Sequence, residues 1–274
     1  MAEQPTYRII ACDLDETLLG PDRHVSPGNR AAIQMARERG VKFVPATGRG
    51  YASVQGTLRE IGLWDAPDEY VLSYNGGAIT ENRGSRLLRF QGLSFPQAER
   101  LFQRGLGYDV CIHVYALEKV YVYNFVPDEQ AYLRGRMEVN VLEEPSIDFL
   151  RGEPIGKVLF NNADLDYLAR IQEELAEETA EMEVSYSSGR YIEFNPRGVS
   201  KGEGLLQLAE LLGVDRKETI AIGDNFNDLS MIRAAGLGVG VRNAADGIKP
   251  ACGYITRAAY DEDAVAEVIQ RFIL

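Results

Sequence analysis

The chain has 274 residues, of which 41 are acidic and 29 are basic, so its formal net charge at pH 7 is −12. A negative balance of this size argues against a protein that binds nucleic acids or anionic membranes, because both need a basic surface. No stretch of the sequence approaches the roughly 18 apolar residues that span a bilayer. An acidic protein that binds an anion must also concentrate positive charge locally or recruit a metal ion.

The cysteine pattern and the start of the sequence predict a cytoplasmic location. Cys12, Cys111 and Cys252 are widely spaced and form no CxxC motif, which is typical of proteins in a reducing compartment. Residues 1–5 lack the basic and apolar regions of a secretory signal.

The first third of the chain predicts alternating strands and helices. In chain order these are strand 7–13, helix 26–39, strand 41–46, helix 50–61 and strand 70–73. Ser26 followed by Pro27 is a typical helix start, and Gly40 is a typical helix end. Short strands separated by helices of this length indicate parallel β-α-β units with right-handed crossovers.

The middle third predicts mostly strands. Its predicted elements are strands 86–90, 110–115, 119–126 and 155–160 and helices 96–104 and 163–177. In the third of these strands, Tyr121, Tyr123 and Phe125 share one face, and valines take the other. This pattern favours a small α+β module whose sheet has one helix-covered face and one aromatic, partly polar face. The alternative, in which the tyrosines only shield a sheet edge, fits the sequence equally well.

The β-α-β pattern returns after residues 191–195. The predicted elements are helix 200–212, strand 219–223, helix 225–235, strand 237–241, a short strand at Ile255 and helix 261–272. The simplest assembly is an α/β core, a doubly wound parallel sheet built from residues 1–83 and 190–274. Residues 84–189 would then form an inserted α+β cap domain.

Two acidic residues end the first predicted strand. Asp13 and Asp15 are two residues apart, so their side chains point to the same face, at the edge where open α/β sheets bind ligands. Carboxylates that face the same way repel each other, and such a pair is tolerated where one of them binds a cation or holds a proton. Aspartates that cap a following helix are the alternative, which residues 16–20 disfavour because they have no helical period.

A second group of acids follows the predicted strand 219–223. Asp224 lies at the end of the strand, and Asp228 lies one helical turn later on the same side. Helix capping would explain Asp224 alone, but it does not explain why a third acid should converge on Asp13 and Asp15. Carboxylates with a backbone carbonyl and water form a hard-oxygen site for Mg²⁺. The sequence therefore predicts a Mg²⁺ site at this edge of the sheet.

Two further segments are suited to binding an anion. Thr47 follows the second predicted strand and precedes Gly48, whose backbone can approach a ligand closely. Ser200 and Glu203 form a capping box, which puts Lys201 in the first turn of a helix, where a cation opposes the helix dipole. That placement makes sense if Lys201 and the helix N-terminus bind one phosphate. A solvated surface lysine is the alternative.

Four segments resemble, in order, the motifs of the haloacid dehalogenase (HAD) superfamily of phosphatases. The segments are Asp13–Leu19, Ala46–Arg49, Gly198–Gly202 and Gly223–Asp228. With a cap-sized insertion between the second and the third, the chain is most similar to the Cof-type branch. The resemblance implies a Rossmann-like core with an inserted cap of the C2B type. Glu16 and Ala264 depart from the family pattern, since glycine is usual at both positions.

The resemblance implies a role for each matching residue. Asp13 would be the nucleophile that forms an aspartyl-phosphate, and Asp15 would be the general acid and base. The side chains of Asp13 and Asp224 and the backbone carbonyl of Asp15 would hold Mg²⁺, the implied cofactor. Thr47, Gly48 and Lys201 would bind the phosphoryl group. Asn227 and Asp228 would support the metal ligands. Arg49, Asn75 and Gly76, at the rim of the core, would contact the substrate.

These features together predict a Mg²⁺-dependent phosphatase that hydrolyses a phosphoric monoester of a small metabolite, such as a sugar phosphate. Its partner would be that small ester, and the protein would act as a monomer or a homodimer. One alternative is a phosphomutase similar to phosphomannomutase, which has this cap type and would require a sugar bisphosphate. Another is a non-catalytic sensor of Mg²⁺ or phosphate, which would be shorter and would not need Asp15.

Overall fold

The computed structural model describes residues 6–274, so the expectation drawn from residues 1–5 lies outside the described part of the chain. The strands are β1 (Ile9–Cys12), β2 (Lys42–Pro45), β3 (Tyr70–Ser73), β4 (Ala78–Glu81), β5 (Arg86–Phe90), β6 (Cys111–Ala116), β7 (Val120–Tyr123), β8 (Asn140–Leu142), β9 (Ile155–Asn161), β10 (Met182–Ser187), β11 (Tyr191–Pro196), β12 (Thr219–Gly223), β13 (Leu237–Gly240) and β14 (Tyr254–Ile255). The α-helices are α1 (Pro27–Glu38), α2 (Gln55–Glu60), α3 (Phe95–Gly105), α4 (Pro127–Leu133), α5 (Leu165–Glu174), α6 (Lys201–Leu211), α7 (Leu229–Ala234) and α8 (Ala264–Phe272). None of these described helices is both long and apolar enough to cross a membrane.

The chain divides into two compact units. The first comprises the chain up to Phe90 together with Ser200–Leu274, and the second comprises Gln91–Val199. The predicted boundaries, after residues 83 and 189, both lie earlier in the sequence than these divisions. Strand pairing accounts for the difference, because β5 pairs with β4 in the first unit and β11 pairs with β9 in the second.

The first unit is built on a five-stranded sheet with the order β14-β13-β12-β1-β2. All of its pairings are parallel. Helices α1 and α8 contribute to the apolar core on one face, and α6 and α7 contribute to the core on the other. The predicted doubly wound α/β core is therefore confirmed.

The central strand β1 shows how the sequence produces two covered faces. Ile10 and Cys12 belong to the apolar core that includes α1 and α8, whereas Ile9 and Ala11 belong to the core that includes α6. All four side chains are fully buried, since successive residues of a strand point to opposite faces. A strand that is apolar on both faces is typical of the centre of a parallel sheet. This placement puts Asp13 at the edge of the sheet.

A three-stranded antiparallel sheet adjoins β2. Its order is β3-β4-β5, and a parallel bridge between Ala46 and Leu72 joins β3 to the end of β2. The sequence patterns did not indicate β4, because all four of its residues are buried and the alternation that identifies a strand is missing. They did indicate β5 but assigned it to the inserted region.

The second unit contains a six-stranded sheet with the order β10-β11-β9-β6-β7-β8. Its pairings are antiparallel except that of β7 with β8. Helices α3 and α5 pack on one face, where Phe102 and Leu168 join the apolar core of the unit. The α+β character predicted for the inserted domain is confirmed.

The tyrosines of β7 lie on the helix-covered face of this sheet. The ring centroid of Tyr123 is 5.8 Å from that of Phe102 in α3, and the centroid of Tyr121 is 5.0 Å from that of Phe149. The predicted aromatic face away from the helices is therefore wrong for this strand. The tyrosines do not shield a sheet edge either, since β7 lies between β6 and β8. Tyrosine can bury its ring while its hydroxyl reaches a polar margin, so its polarity does not decide the face.

Candidate active site

The predicted acids of the first unit lie directly after neighbouring strands. The amide of Asp13 donates to the carbonyl of Ile222 at 2.9 Å, which continues the parallel pairing of β1 with β12. Asp224 follows β12, so both carboxylates leave the sheet at the same edge. Together with Asp228 they offer oxygen atoms that lie within 4.8 Å of one another. The structure thus brings three of the predicted acids together.

Lys201 supplies a cation to this cluster. It is the first residue of α6, whose cap is Ser200, and the Ser200 hydroxyl accepts from the amide of Glu203 at 3.2 Å. The ammonium group of Lys201 contacts Oδ1 of Asp13 and lies 2.6 Å from Oδ1 of Asp228. The side chain is completely buried, so the alternative of a solvated surface lysine is wrong.

Burial and neighbouring charges together shift the pKa values of Lys201 and Asp13. Burial alone would lower the pKa of Lys201, but Asp13 and Asp228 outweigh it and raise that pKa above its ordinary value. Burial raises the pKa of Asp13 well above the usual range of a carboxyl group, and repulsion from Asp228 adds to this effect. Lys201 opposes both and favours the carboxylate form of Asp13.

Asp224 is held by Thr17. The Thr17 hydroxyl donates to Oδ1 of Asp224 at 2.8 Å, and the Asp224 carbonyl accepts from the amide of Ala245 at 2.8 Å. Burial, and then repulsion from Asp228, raise the pKa of Asp224 to about 7, against the effect of the Thr17 bond. A cation bound nearby would favour the charged form of this carboxyl group.

Both oxygens of Asp228 accept hydrogen bonds from the protein. Oδ1 accepts from Lys201, and Oδ2 accepts from the amides of Asp224 and Asn225 at 3.0 and 3.1 Å. These bonds tie the turn after β12 to the lysine, as expected of a residue that orients its neighbours. Asn227 lies half-buried in the same turn. The supporting roles of Asp228 and Asn227 stay predictions.

Thr47 and Gly48 follow β2, which pairs with β1 on the side opposite β12. The Thr47 amide donates to the carbonyl of Leu72 at 2.8 Å, and its carbonyl accepts from the amide of Asn75 at 3.0 Å. The Thr47 hydroxyl accepts from the amide of Arg49 at 3.1 Å. The turn that carries the predicted phosphoryl-binding residues is therefore fixed at the same edge of the sheet as the acids.

Asp15 lies outside the three-acid cluster and has its own cation. Its carboxylate forms an ion pair with the guanidinium group of Arg49, through Oδ1 and Nη2. The side chain of Asp15 is 41% exposed, whereas that of Asp13 is nearly buried. Asp15, the predicted general acid and base, is thus paired with Arg49, which the sequence predicted at the rim of the core in contact with the substrate.

Asn75 and Gly76 are buried in the turn Tyr74–Gly76. Gly76 has a φ of 87°, and a Cβ atom at this position would lie 2.3 Å from the carbonyl oxygen of Ser200. Only glycine allows the turn to approach the start of α6, which carries Lys201. Gly76 therefore has a structural part in the site. Contact of Asn75 or Gly76 with the substrate stays a prediction.

Thr17 and Ser230 belong to the site, but the sequence analysis did not assign them a role. Thr17 holds Asp224, and the Ser230 hydroxyl accepts from the amide of Gly202 at 3.1 Å, beside Lys201. Thr17 lies within the first motif, so its position was visible in the sequence. Its partner, 207 residues away, was not visible there, because a side-chain contact between distant segments depends on the fold.

The cluster is suited to holding a Mg²⁺ ion. The cluster has three buried carboxyl groups and one ammonium group, which contacts two of them, so acidic groups outnumber the cation. Buried like charges are costly unless a cation or a proton compensates them, and Mg²⁺ prefers oxygen ligands of this kind. Both oxygens of Asp228 already accept from the protein, which leaves Asp13 and Asp224 as the expected side-chain ligands, with the backbone carbonyl of Asp15.

A family model and several proteins resemble this chain over nearly its whole length. The model of the family described as haloacid dehalogenase-like hydrolase matches residues 10–269. The Bacillus subtilis protein YwtE, a 5-amino-6-(5-phospho-D-ribitylamino)uracil phosphatase, is 30% identical, and the match covers 97% of this chain and 98% of YwtE. The HMP-PP phosphatase of Serratia proteamaculans is 29% identical, with coverage of 97% and 96%.

Two solved structures share the fold. A haloacid dehalogenase-like hydrolase from Bacteroides thetaiotaomicron matches with a TM-score of 0.83 at 30% identity, covering 97% of this chain and 99% of that one. A haloacid dehalogenase-like hydrolase from B. subtilis matches with a TM-score of 0.87 at 24% identity, covering 97% and 100%. At this lower identity the second likeness is evidence of the fold alone.

Proposed function

We propose that this chain, which belongs to the haloacid dehalogenase-like hydrolases and is a phosphatase of that family, hydrolyses small phosphorylated metabolites through an aspartyl-phosphate and with bound Mg²⁺. The observation that carries the proposal is the contact of buried Lys201 with Asp13, beside Asp224. It joins a carboxylate that can attack phosphorus, a cation that can offset phosphate charge and a further carboxylate that can hold a metal. Phosphoryl transfer depends mainly on such positioning and charge stabilisation.

Asp13 supplies the nucleophile. One of its carboxylate oxygens attacks the phosphorus of the ester, the bond from phosphorus to the leaving oxygen breaks, and an acyl phosphate forms. The contact with Lys201 and the backbone bond to Ile222 hold Asp13 in place for this attack. Because these contacts exist before the reaction, little reorganisation is required during it.

Lys201, Thr47 and Gly48 bind the transferring phosphoryl group. A carboxylate and a phosphate repel each other by about 1 kcal/mol at 4 Å in bulk water, and by several-fold more in a less polar cleft. The ammonium group of Lys201 offsets this repulsion, and the Thr47 hydroxyl and the Gly48 amide donate to phosphoryl oxygens. Burial of Lys201 strengthens its contribution, because electrostatic interactions weaken less in a water-poor site.

Asp15 transfers the protons. Its carboxylic acid form gives a proton to the leaving alcohol oxygen in the first step. In the second step its carboxylate takes a proton from the water that attacks the acyl phosphate, which releases inorganic phosphate and restores Asp13. The 41% exposure of Asp15 supports this role, since a group that changes protonation state twice must exchange protons with solvent.

Asp13 and Asp224 would hold Mg²⁺ together with the backbone carbonyl of Asp15. The ion would supply positive charge that stabilises the charge of the transferring group. Thr17 orients Asp224 for this purpose. Asp228, with Asn227 in the same turn, fixes the backbone from which Asp224 projects.

Phosphorylated sugars and sugar alcohols are the proposed substrates. YwtE is named for a compound with a phosphorylated ribityl chain, and the Serratia relative is named for HMP-PP. The ribityl chain in the first name supports this substrate class, and the second name supports a phosphorylated substrate more generally. A cytoplasmic location agrees with the free thiols of Cys12, Cys111 and Cys252.

A phosphate-release screen tests this function. The purified protein is assayed with Mg²⁺ against phosphorylated sugars and sugar alcohols, and the Asp13→Asn variant serves as the blank because its amide forms no acyl phosphate. We expect release by the wild type and a loss of at least about 10³-fold in the variant. EDTA should stop the reaction, and added Mg²⁺ should restore it.

Three outcomes would overturn the proposal. Substantial turnover by Asp13→Asn would exclude Asp13 as the nucleophile, and undiminished turnover in EDTA would exclude the metal. Transfer of phosphate between sugar phosphates without net release would identify a phosphomutase instead.

A further inference from the structure

Separate cations serve the two catalytic acids. Lys201 contacts Asp13 and Asp228, whereas the guanidinium group of Arg49 contacts Asp15. The contact of Lys201 is buried, and that of Arg49 lies at the half-exposed end of the site. The orientation of Asp15 therefore depends on Arg49, whereas the orientation of Asp13 depends on Lys201.

Arg49 projects from a fixed turn. Its amide donates to the Thr47 hydroxyl at 3.1 Å, and its carbonyl accepts from the amide of Tyr74 at 3.0 Å. The next residue, Gly50, is packed so closely that a Cβ atom would lie 2.6 Å from the Tyr74 hydroxyl oxygen. The Arg49 side chain itself is only 17% exposed. Because backbone and side chain are already ordered, the ion pair costs little further conformational entropy.

Asp15 needs such an anchor more than Asp13 does. It lies beyond the end of β1, and its side chain is 41% exposed. A half-exposed aspartate samples several rotamers unless a partner restricts it. A general acid must lie within hydrogen-bond reach of the oxygen that it protonates, and misplacement by about 1 Å can cost on the order of 10²-fold in rate.

We propose that Arg49 is a positioning residue, which holds the carboxyl group of Asp15 in the orientation that serves the leaving oxygen. Arg49 acts through Asp15 rather than by binding the transferring phosphoryl group. The planar guanidinium group suits this task, because its fixed donors orient a carboxyl group better than an ammonium group does. This inference rests on the proposed function and goes beyond the substrate contact that the sequence predicted for Arg49.

Leaving groups of different basicity test the proposal. An alkoxide requires a proton from Asp15 when it departs, whereas 4-nitrophenolate is stable enough to depart without one. We expect Arg49→Ala to lower kcat for an alkyl phosphate about 10²-fold with KM changed less than about threefold. The single-turnover rate of 4-nitrophenolate release from 4-nitrophenyl phosphate should also fall, but by a factor at least about ten times smaller than the factor for the alkyl phosphate. Arg49→Lys, which keeps the charge, should recover part of the lost kcat.

Arg37→Ala is the matched control. Arg37 forms an ion pair with Glu69 in the same unit, at 2.9 Å and outside the acid cluster. Its loss should leave the ratio of alkyl to aryl rates unchanged. Thermal unfolding shows whether each variant is folded at the assay temperature, and Arg49→Lys replaces Arg49→Ala in the comparison if the alanine variant is unfolded.

Four results would overturn the proposal. Equal losses with both esters, or a higher KM with kcat preserved, would assign Arg49 to binding of the substrate. Unchanged rates with both esters would leave Arg49 no part in the reaction. If the wild type hydrolyses neither ester, the proposed function itself fails, and the inference fails with it.

Discussion

Both units of the molecule bury charged side chains, but they balance the charge differently. In the first unit, the ammonium group of Lys201 contacts two of three clustered buried aspartates, Asp13 and Asp228 but not Asp224. In the second unit, the ammonium group of Lys157 lies 2.6 Å from a carboxylate oxygen of Glu193. Both lysines are buried, so the balance of charge around them, rather than burial, distinguishes the two regions.

The pair in the second unit is completed by uncharged groups. The Ser187 hydroxyl donates to the second oxygen of Glu193, and the Lys157 ammonium nitrogen lies 4.7 Å from the centroid of the Tyr115 ring. A buried ion pair is tolerated when its remaining donors and acceptors are satisfied in this way. Excess negative charge, by contrast, opposes folding and is typical of sites that bind a cation. The comparison favours a functional role for the unbalanced cluster around Lys201 and a structural role for the balanced pair of Lys157 and Glu193.

The largest effect is expected from Lys201→Met. The variant removes the buried cation that the protein itself supplies against the repulsion between Asp13 and the phosphate, so kcat should fall by about 10³-fold or more. Steady-state phosphate release measures this loss. Lys157→Met is the matched control, because it removes a buried lysine from the other unit, and its kcat should fall less than about tenfold. Equal losses in the two variants would contradict the comparison.

The stability of the two variants should differ in its dependence on Mg²⁺. Lys157→Met leaves the Glu193 carboxylate buried without its cation, so the free energy of unfolding should fall by about 3–5 kcal/mol. Urea denaturation measures this change. Lys201→Met should lose less stability in Mg²⁺ than in EDTA, because the ion compensates the excess acids. Relief of the Lys157→Met defect by Mg²⁺ would show that the two regions do not differ as proposed.

Acid should destabilise the second unit through His113. Burial, and then the charges of Lys157 and Arg190, lower the pKa of His113 from 6.5 to about 3. The unfolded chain therefore binds a proton at higher pH than the folded protein does, so stability falls as the pH drops from 6.5 towards 3. The groups around His113 include those of Cys111, Tyr115, Glu129, Lys157, Arg190 and Tyr191.

The size of this effect follows from the shift. Between pH 7 and pH 5 the His113 contribution to the free energy of unfolding should fall by about 2 kcal/mol. Urea denaturation at both pH values measures the total, and His113→Gln should lack this part of the pH dependence. The same pH dependence in both proteins would exclude His113 as its source.

The smallest effect is expected from Glu16→Gly. Glu16 has a φ of 59°, a left-handed conformation that costs a side chain about 1–2 kcal/mol. Glycine avoids this strain but loses about 0.5–1 kcal/mol in backbone entropy, so the variant should be slightly more stable. It also removes an acid that raises the pKa of Asp224 and so reduces the excess charge.

A control in the second unit separates strain from charge. Ser188 also has a positive φ, 52°, and Ser188→Gly relieves strain without removing an acid. Thermal unfolding should show a small stabilisation in both variants, and a larger one for Glu16→Gly in EDTA. A lower unfolding temperature for Glu16→Gly would mean that Glu16 stabilises the site.

Local sequence patterns predicted the bounds of an element well where its apolar residues lie on defined faces. Strand 219–223 was predicted with its observed bounds, and helix α1 begins one residue after the predicted start. The predicted helices 50–61 and 225–235 were too long, since each begins with a 3-10 turn, Tyr51–Val54 and Phe226–Asp228. Both turns follow segments that carry site residues, where hydrogen bonds to distant residues compete with helical ones.

Several short elements were missed. The sequence analysis did not predict α4, β8 or β10. The three residues of β8 are too few to establish a period. Strand β10 has six residues that alternate apolar and polar side chains, so the sequence does carry a strand pattern there. Their pairing and packing with the rest of the sheet stabilise them, and those contacts come from residues far away in the chain.

The sequence by itself determined the α/β core and the presence of an inserted α+β region, and it identified the candidate acids and lysine, because periodicity and motif order are local properties. Only the tertiary structure decided which groups meet. Lys201 joins Asp13 across 188 residues, and Arg49 joins Asp15 across 34 residues. The physical reason is that adjacent parallel strands end at one edge of the sheet, while side-chain partners there depend on the packing of the turns and of α6. The fold thus concentrates part of the strong negative charge of the chain in one buried cluster, Asp13, Asp224 and Asp228.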